Sequence, residues 1–416
     1  MSQYKDLTKS ELEKLQEALL VKYDSIKAKG LALDMSRGKP GNEQLDLSMG
    51  LYDVLEPNDY KGADGVDCRN YGGPDGIPEI RQIFADILEV DDTELIIGGN
   101  SSLTLMYESL MAQKLSSQNQ QKRKFLCPSP GYDRHFAITE YLGYEMIPIK
   151  MTLNGPDMAE IEEYAKDPLV AGVWCVPKFS NPQGVVYTDE TIRKFAKLKP
   201  AAADFRIIWD NAYCIHAFDG ETPKILNLLE ECKRVGNYDL PLMYTSFSKV
   251  TFPGAAVAAM AASPANVAKI RKHLSYQLIC QDKMNQLRHA RLFKNADGVY
   301  EHMKKHAEIL KPRFEAVLSA LTGLDEKGIG AWFAPKGGYF VSFDAMPGTA
   351  TKIVKLCAEA GVITTPAGAA FPYGNDPLDR NIRIAPTFPS SEQLKQAMEL
   401  FCVAVELVSV QKLLEN

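Results

Sequence analysis

From about residue 95 the chain alternates between short apolar runs and longer stretches of helical periodicity. Strand-like runs fall at Leu95–Gly99, Phe125–Cys127, Glu145–Ile149, Ala171–Val176, Phe205–Trp209, Leu242–Thr245 and Ala256–Ala261. Between them, apolar residues at helical spacing predict helices over Asn100–Ala112, Tyr132–Leu142, Ala159–Ala165 and Asp189–Leu198. Strands alternating with helices predict an α/β fold with a mainly parallel sheet covered on both faces. In such sheets ligands bind beyond the carboxyl ends of the strands. Upstream, Leu12, Leu15, Leu19, Tyr23 and Ile26 share one face of a helix over residues 10–30, with Ser10 and Glu13 at capping-box spacing and Gly30 as its stop. Downstream, a helical region from Asp282 to about Leu321 is interrupted at Pro312. Strands around Gly337-Gly338, a helix at Ala350–Ala360, strands at Val362–Thr365 and Asn381–Ala385, and a last helix at Ser390–Leu414 follow. This pattern predicts an N-terminal segment (1–60) that joins a small α+β domain (300–416), and a large ligand-binding domain (61–299) between them.

Composition narrows the class without naming a function. The 416 residues are 45% hydrophobic and 24% charged, with a net charge of −6 from 47 basic and 53 acidic residues. That is ordinary for a globular protein, and with no basic run it argues against nucleic acid or an anionic membrane as partner. The eight cysteines are scattered, with no C-x-x-C pair, as expected for reduced thiols in a cytoplasmic protein. The N-terminus has no secretory pattern, and no apolar run is long enough to span a membrane. His302 and His306 are the one histidine pair at metal-ligand spacing. They lie in a Lys-rich helical stretch that reads as a solvated face, so no metal is expected.

The candidate chemistry gathers at the predicted strand ends. Ser246-Phe-Ser-Lys249 follows an apolar strand and precedes Pro253-Gly254 and a run of alanines. A lysine among small residues is what a Schiff-base lysine requires, because its amine must be partly desolvated to be nucleophilic. Gly99-Asn100-Ser101-Ser102 places a glycine and small hydroxyl residues at a helix start, a geometry that cradles anions and also serves as plain capping. Asn181-Pro-Gln-Gly184 alone is a turn signal, and Asp210-Asn-Ala-Tyr213 alone could cap a helix. Arg383 sits inside an apolar strand, and a buried arginine needs an anionic partner. Asp34–Gly41 is a polar Gly/Pro segment in which backbone can approach a ligand.

Taken in order, Tyr71-Gly-Gly-x-x-Gly, Gly99-Asn-Ser-Ser, Pro130-Gly-Tyr132, Asn181-Pro-x-Gly, Asp210-x-Ala-Tyr213, Ser246-x-Ser-Lys249 and Asn381-x-Arg383 resemble class I aminotransferases of the pyridoxal-phosphate fold type I superfamily. The resemblance spans about residues 31–390. Its wording around Ser36–Gly41, Tyr71–Gly76 and Val250–Gly254 is most similar to the bacterial aspartate aminotransferase subgroup Ic, which is related to MocR-type effector domains. The resemblance implies pyridoxal 5′-phosphate as cofactor and a ping-pong transaminase, with L-aspartate and 2-oxoglutarate as the first expectation. Donors that are aromatic or otherwise acidic, elimination or decarboxylation on the same fold, and a ligand-sensing regulator domain are the alternatives. The regulator reading is disfavoured by the absence of a basic recognition helix.

By the same resemblance, Lys249 would carry the cofactor and move the substrate proton, and Asp210 would pair with the ring nitrogen. Tyr213 and Asn181 would reach the phenolic oxygen, and Tyr132 would stack on the ring. The segment at Asn100, with the hydroxyls of Ser101, Ser102, Ser246 and Ser248, would hold the phosphate. Tyr71 would reach the phosphate of a neighbouring subunit, which implies a homodimer with shared sites. Arg383, helped by the Gly38 backbone and Asn181, would bind the substrate α-carboxylate. One departure stands out: the family's phosphate-clamping arginine, eight residues after the lysine, is Val257 here. A second cation for a dicarboxylate could be Arg37, Arg134, Lys283 or Arg288, and spacing does not choose among them.

Overall fold

The computed structural model describes residues 3–117 and 121–415. Its strands, in chain order, are β1 (Leu33–Met35), β2 (Leu95–Ile97), β3 (Lys124–Ser129), β4 (Glu145–Thr152), β5 (Gly155–Pro156), β6 (Val170–Cys175), β7 (Arg206–Asp210), β8 (Pro241–Ser246), β9 (Ala258–Ala262), β10 (Gly330–Trp332), β11 (Val341–Ala345), β12 (Val362–Thr364) and β13 (Asn381–Ile384). Eight of them form one sheet in the order β2-β9-β8-β7-β6-β3-β4-β5. The pairs β8-β7, β7-β6, β6-β3 and β3-β4 are parallel, whereas β9 runs antiparallel to both β8 and β2. β2 therefore runs in the same direction as the parallel strands, and the segments that follow β2, β3, β6, β7 and β8 leave from one edge.

The central strands are buried on both faces, which is why they read as unbroken apolar runs. Side chains still alternate between two cores. Ile207 and Trp209 of β7, with Ala259 and Ala261 of β9, face one core, while Ile208, Ala258, Met260 and Ala262 face the other. The alanines of β9 let the helix Ser102–Ser116 lie close to the sheet, where Leu105, Met106 and Leu110 complete the second core.

A third core joins the two ends of the chain. Leu12, Leu19, Tyr23 and Ile26 of the helix Lys9–Lys27 pack with the last helix, Ser391–Glu415. The Tyr23 hydroxyl donates to the Leu356 carbonyl at 2.9 Å, and β1 pairs in parallel with β12, Leu33 opposite Val362. β10, β11 and β13 form a separate antiparallel sheet.

Three local expectations are corrected. The first helix is capped by Thr8, not Ser10: Thr8 accepts from the Glu11 N–H, and the Glu11 carboxylate accepts from the Thr8 N–H at 2.7 Å. This places the capping box two residues earlier. The long helical region is not broken at Pro312, which lies inside the helix Ala296–Leu321. The break is at Lys294, whose φ of 66° ends the helix Lys283–Phe293, and Asn295 caps the next one. Finally, His302 and His306 are buried, not solvated. No helix among the described residues is long and apolar enough to cross a membrane.

Candidate active site

A pocket of about 220 Å3 opens at the strand edge and is lined by Ser101, Ser102, Tyr132, Asn181, Asp210, Tyr213, Ser246, Ser248 and Lys249, among others. Nine sequence-predicted residues thus come together from five strand ends. Lys249 closes a short 3₁₀ turn (Phe247–Lys249) directly after β8, capped by the Ser246 hydroxyl. Its amine lies 4.9 Å from the Tyr213 ring centroid, and burial pushes it below the ordinary lysine range, opposed by the Asp210 charge. Among the described residues lining the pocket, it is the only cation.

Asp210 is the last residue of β7 and is 4% exposed. One carboxylate oxygen accepts from the Ala212 N–H at 3.2 Å, and the other meets His135 Nε2 at 3.0 Å. His135 is itself stacked on Trp174, with centroids 4.1 Å apart and planes within 6°. Sequence reasoning missed this histidine. Its signal was its position one helical turn after Tyr132, on the same face. Tyr132 makes an edge contact with His135 at 4.9 Å, and burial raises its phenol to about 12. Burial likewise keeps the Tyr213 phenol neutral, with a pKa well above its ordinary value.

The hydroxyl cluster lies at the start of the helix Ser102–Ser116. Ser101 caps it by accepting from the Leu103 N–H, Ser246 donates to Ser248 at 3.0 Å, and Ser248 donates to the Asn100 carbonyl at 2.9 Å. The Asn100 side chain is turned towards the Pro253 and Gly254 carbonyls. Val257 is buried in the core, and its carbonyl accepts from the Phe247 N–H at 2.8 Å, so it fixes the lysine turn and brings no charge to the cluster.

Arg383 lies beside this pocket, on β13. It is 6% exposed, and its anionic partner is Asp133, at 2.7 Å. The same guanidinium donates to Asn181 Oδ1 at 3.3 Å and to Thr365 at 3.3 Å, and lies over the Phe340 ring. Gly38 abuts the same ring: a Cβ there would stand 2.4 Å from Phe340 Cζ, which explains glycine at this position. Tyr71 is not in the pocket of its own chain; it is 73% exposed. Of the four candidate second cations, Arg37, Arg134 and Arg288 are exposed. Lys283 is 5% exposed, and its amine has no hydrogen-bond partner among the described residues. A Cβ on Gly72 would stand 2.2 Å from that amine, so the charge lies directly behind the Tyr71-Gly72 backbone.

Beneath Lys249 lies a buried polar network that the sequence did not suggest. The Lys249 carbonyl accepts from the Tyr339 hydroxyl at 3.4 Å and lies 3.3 Å from His216 Nε2. The Val250 carbonyl lies 2.9 Å from His302 Nε2, which in turn meets His306 at 3.2 Å. Gln44 joins His306 at 3.0 Å to Tyr339 at 2.9 Å. Burial depresses the basicity of all three histidines, His216 and His306 to about 3.

The chain and its fold have counterparts among known proteins. Residues 7–416 match the model of the family described as "Aspartate amino-transferase". A Mycolicibacterium smegmatis protein is 45% identical over 94% of both chains. An aspartate aminotransferase of Corynebacterium glutamicum is 41% identical over 94% of this chain and 92% of its own. The crystal structure of an aspartate transaminase from C. glutamicum superposes with a TM-score of 0.96 at 40% identity, covering 99% of each chain. At 20% identity, an α-aminoadipate aminotransferase from Thermus thermophilus, complexed with N-(5′-phosphopyridoxyl)-L-leucine, shares the fold with a TM-score of 0.74.

Proposed function

The chain belongs to the aspartate aminotransferase family and is a pyridoxal-phosphate-dependent transaminase, and from that premise we propose that it moves the amino group of L-aspartate to 2-oxoglutarate, giving oxaloacetate and glutamate. The residues present fit the cofactor. A desolvated lysine amine and a buried carboxylate face one pocket, and hydroxyls gather there at the N-terminus of the helix Ser102–Ser116. When bound, pyridoxal phosphate supplies the electron sink that makes an amino acid's Cα–H acidic. Lys249 would hold it and afterwards carry the proton at Cα. Asp210, oriented by His135, would hold the proton on the ring nitrogen. Asn181 and the neutral Tyr213 would donate to the phenolic oxygen, and Tyr132 would cover the ring. Ser101, Ser102, Ser246, Ser248 and the Asn100 segment would hold the phosphate without the usual arginine. Arg383 would take the substrate α-carboxylate, with Gly38 and Phe340 as its floor and Asp133 as the carboxylate that occupies the guanidinium beforehand.

The dicarboxylate preference rests on Lys283. A buried ammonium with no partner is costly unless an anion reaches it, and a second substrate carboxylate is such an anion. Large apolar side chains left exposed support a homodimer with shared sites: Tyr71, Tyr52 (71%), Tyr276 (79%) and Ile279 (63%). In that assembly the Tyr71-Gly72-Lys283 region would serve the partner's pocket. A cytoplasmic location fits the eight free cysteines. The test is a panel of amino donors compared by kcat/KM with 2-oxoglutarate as acceptor. Aspartate should lead; glutamate is left out of the panel because with 2-oxoglutarate it only regenerates the same pair. Alanine, leucine or phenylalanine performing as well would overturn the dicarboxylate assignment and leave the transaminase standing.

A further inference from the structure

A second cavity, of about 660 Å3, shares no residue with the Lys249 pocket. Its walls include Glu89, Lys178, Cys214, Lys224, Tyr300 and Met303. A recess of about 160 Å3 adjoins it, shares Glu89, Lys178, Cys214 and Lys224, and is also lined by Asn211.

Three observations indicate that this space is built for a ligand. Asn211 is 8% exposed, and its Oδ1 is enclosed with no hydrogen-bond partner among the described residues. An enclosed amide oxygen calls for a donor. Lys178 is half-buried and forms no ion pair among the described residues; desolvation holds its amine below the usual lysine range, opposed by the nearby Glu89 charge. Glu89 brings a charge of the opposite sign to the same walls, on a residue whose φ of 56° turns the chain sharply at the end of the helix Pro78–Leu88. Lys224 lies exposed at the rim, also without an ion pair among the described residues. Ile87, Ile215 and Met303 supply an apolar wall. The lining also holds Glu221 and Lys304, the latter paired with Glu301. Two ammonium groups without an ion pair, the carboxylates of Glu89 and Glu221, one unsatisfied acceptor and an apolar wall together complement a zwitterion with an apolar tail.

We infer that this cavity is a second site for a free α-amino acid with an apolar side chain. Its carboxylate lies on Lys178 and Lys224, its ammonium on Glu89 and Asn211 Oδ1, and its side chain against Ile87, Ile215 and Met303. The site is wired to the catalytic pocket through the backbone. Lys178 precedes Asn181 by three residues, Asn211 follows Asp210, and Cys214 follows Tyr213. A ligand that favours the arrangement of these segments that substrate also favours changes affinity in the pocket, and substrate then changes the affinity of the ligand by the same factor.

The test uses the cofactor-loaded protein carrying Arg383→Ala, so that the α-carboxylate arginine is removed and pocket binding is suppressed. L-leucine and L-methionine are titrated into it by calorimetry. Saturable binding of at least one is expected. Adding Lys224→Ala, an exposed position whose replacement leaves the core intact, should weaken it roughly tenfold, as befits loss of a charged hydrogen bond. Lys178→Met in place of Lys224→Ala should weaken it at least as much. In the otherwise wild-type enzyme, the same amino acid should change the KM for aspartate, and Lys224→Ala should remove that response while leaving activity without it unchanged. No saturable binding to Arg383→Ala, unchanged affinity after Lys224→Ala, or an equal kinetic response in both enzymes would each overturn the assignment.

Discussion

The Lys249 amine sits 4.9 Å from one aromatic ring and 5.7 Å from another, that of Tyr339, with burial working against its charge. An amine so placed spends more time unprotonated and is the group that bonds a carbonyl carbon. Borohydride reduction followed by peptide mass mapping should therefore find cofactor on the Lys249 peptide, and Lys249→Ala should lose both that mass and nearly all turnover. A reducible link that survives in the variant would move the assignment elsewhere. Asp210 acts at one remove from the reacting bond. Asp210→Asn keeps the shape but loses the charge held by His135, and turnover should fall at least roughly a hundredfold, the scale of losing one preorganised electrostatic group. Near-normal steady-state rates in that variant would mean that another acid serves the ring. Arg383 carried a legible signal, a charge within an apolar strand. Asp133 did not, because an acid beside an aromatic residue on a helix start has many ordinary uses.

At the level of elements, the sequence showed where the chemistry would gather because parallel strands are apolar throughout and their exits are not. β6 is buried along its whole length, and the next polar turn delivers Asn181. Boundaries were less legible. Thr8 and Ser10 are both good caps, and only the Glu11 side chain, folded back on the Thr8 N–H, decides between them. The helix break at Lys294 was hidden because proline is the louder signal, although Pro312 is accommodated within the helix. Burial of His302 and His306 could not be read locally: their lysine-rich neighbours face solvent, while the histidine face turns to Gln44, Ser48 and the Val250 carbonyl. Lys283 on the helix Lys283–Phe293 gives a test at this scale. Lys283→Met keeps the stem and removes the charge. The KM for aspartate and 2-oxoglutarate should rise about tenfold or more, the cost of a lost charged contact, with a much smaller effect on alanine as donor. An equal loss for both donors would indicate a structural role.

Across the whole molecule, the neutral histidines make stability depend on pH. His216 and His306 have folded values of about 3, and His289, also buried, about 4, all below the unfolded value of 6.5. Above 6.5 both states are neutral and the groups contribute nothing to the slope. Below it the unfolded chain takes up protons that the folded chain refuses, so stability falls as pH drops from 6.5 towards 4. The thermal midpoint should decline over that window, and His306→Gln should flatten the decline by up to one proton's worth of slope. An unchanged slope would show that the histidine is protonated in the fold. Assembly gives a second check. Mixed Lys249→Ala and Tyr71→Phe chains should regain activity on exchange, since a hybrid dimer contains one intact shared site; a fully active monomer would refute the sharing. There is also a consequence for how the protein is made. The helix Lys9–Lys27 and β1 find their partners in β12 and in the helix Ser391–Glu415, so the first residues to leave the ribosome wait for nearly the last. The eight-stranded sheet closes by residue 262 and can fold during synthesis, leaving the leading segment with an apolar face uncovered until translation ends. Nascent chains arrested near residue 340 should therefore show a protease-resistant sheet and a cleavable N-terminus, and chaperones that bind apolar helices should find their target there.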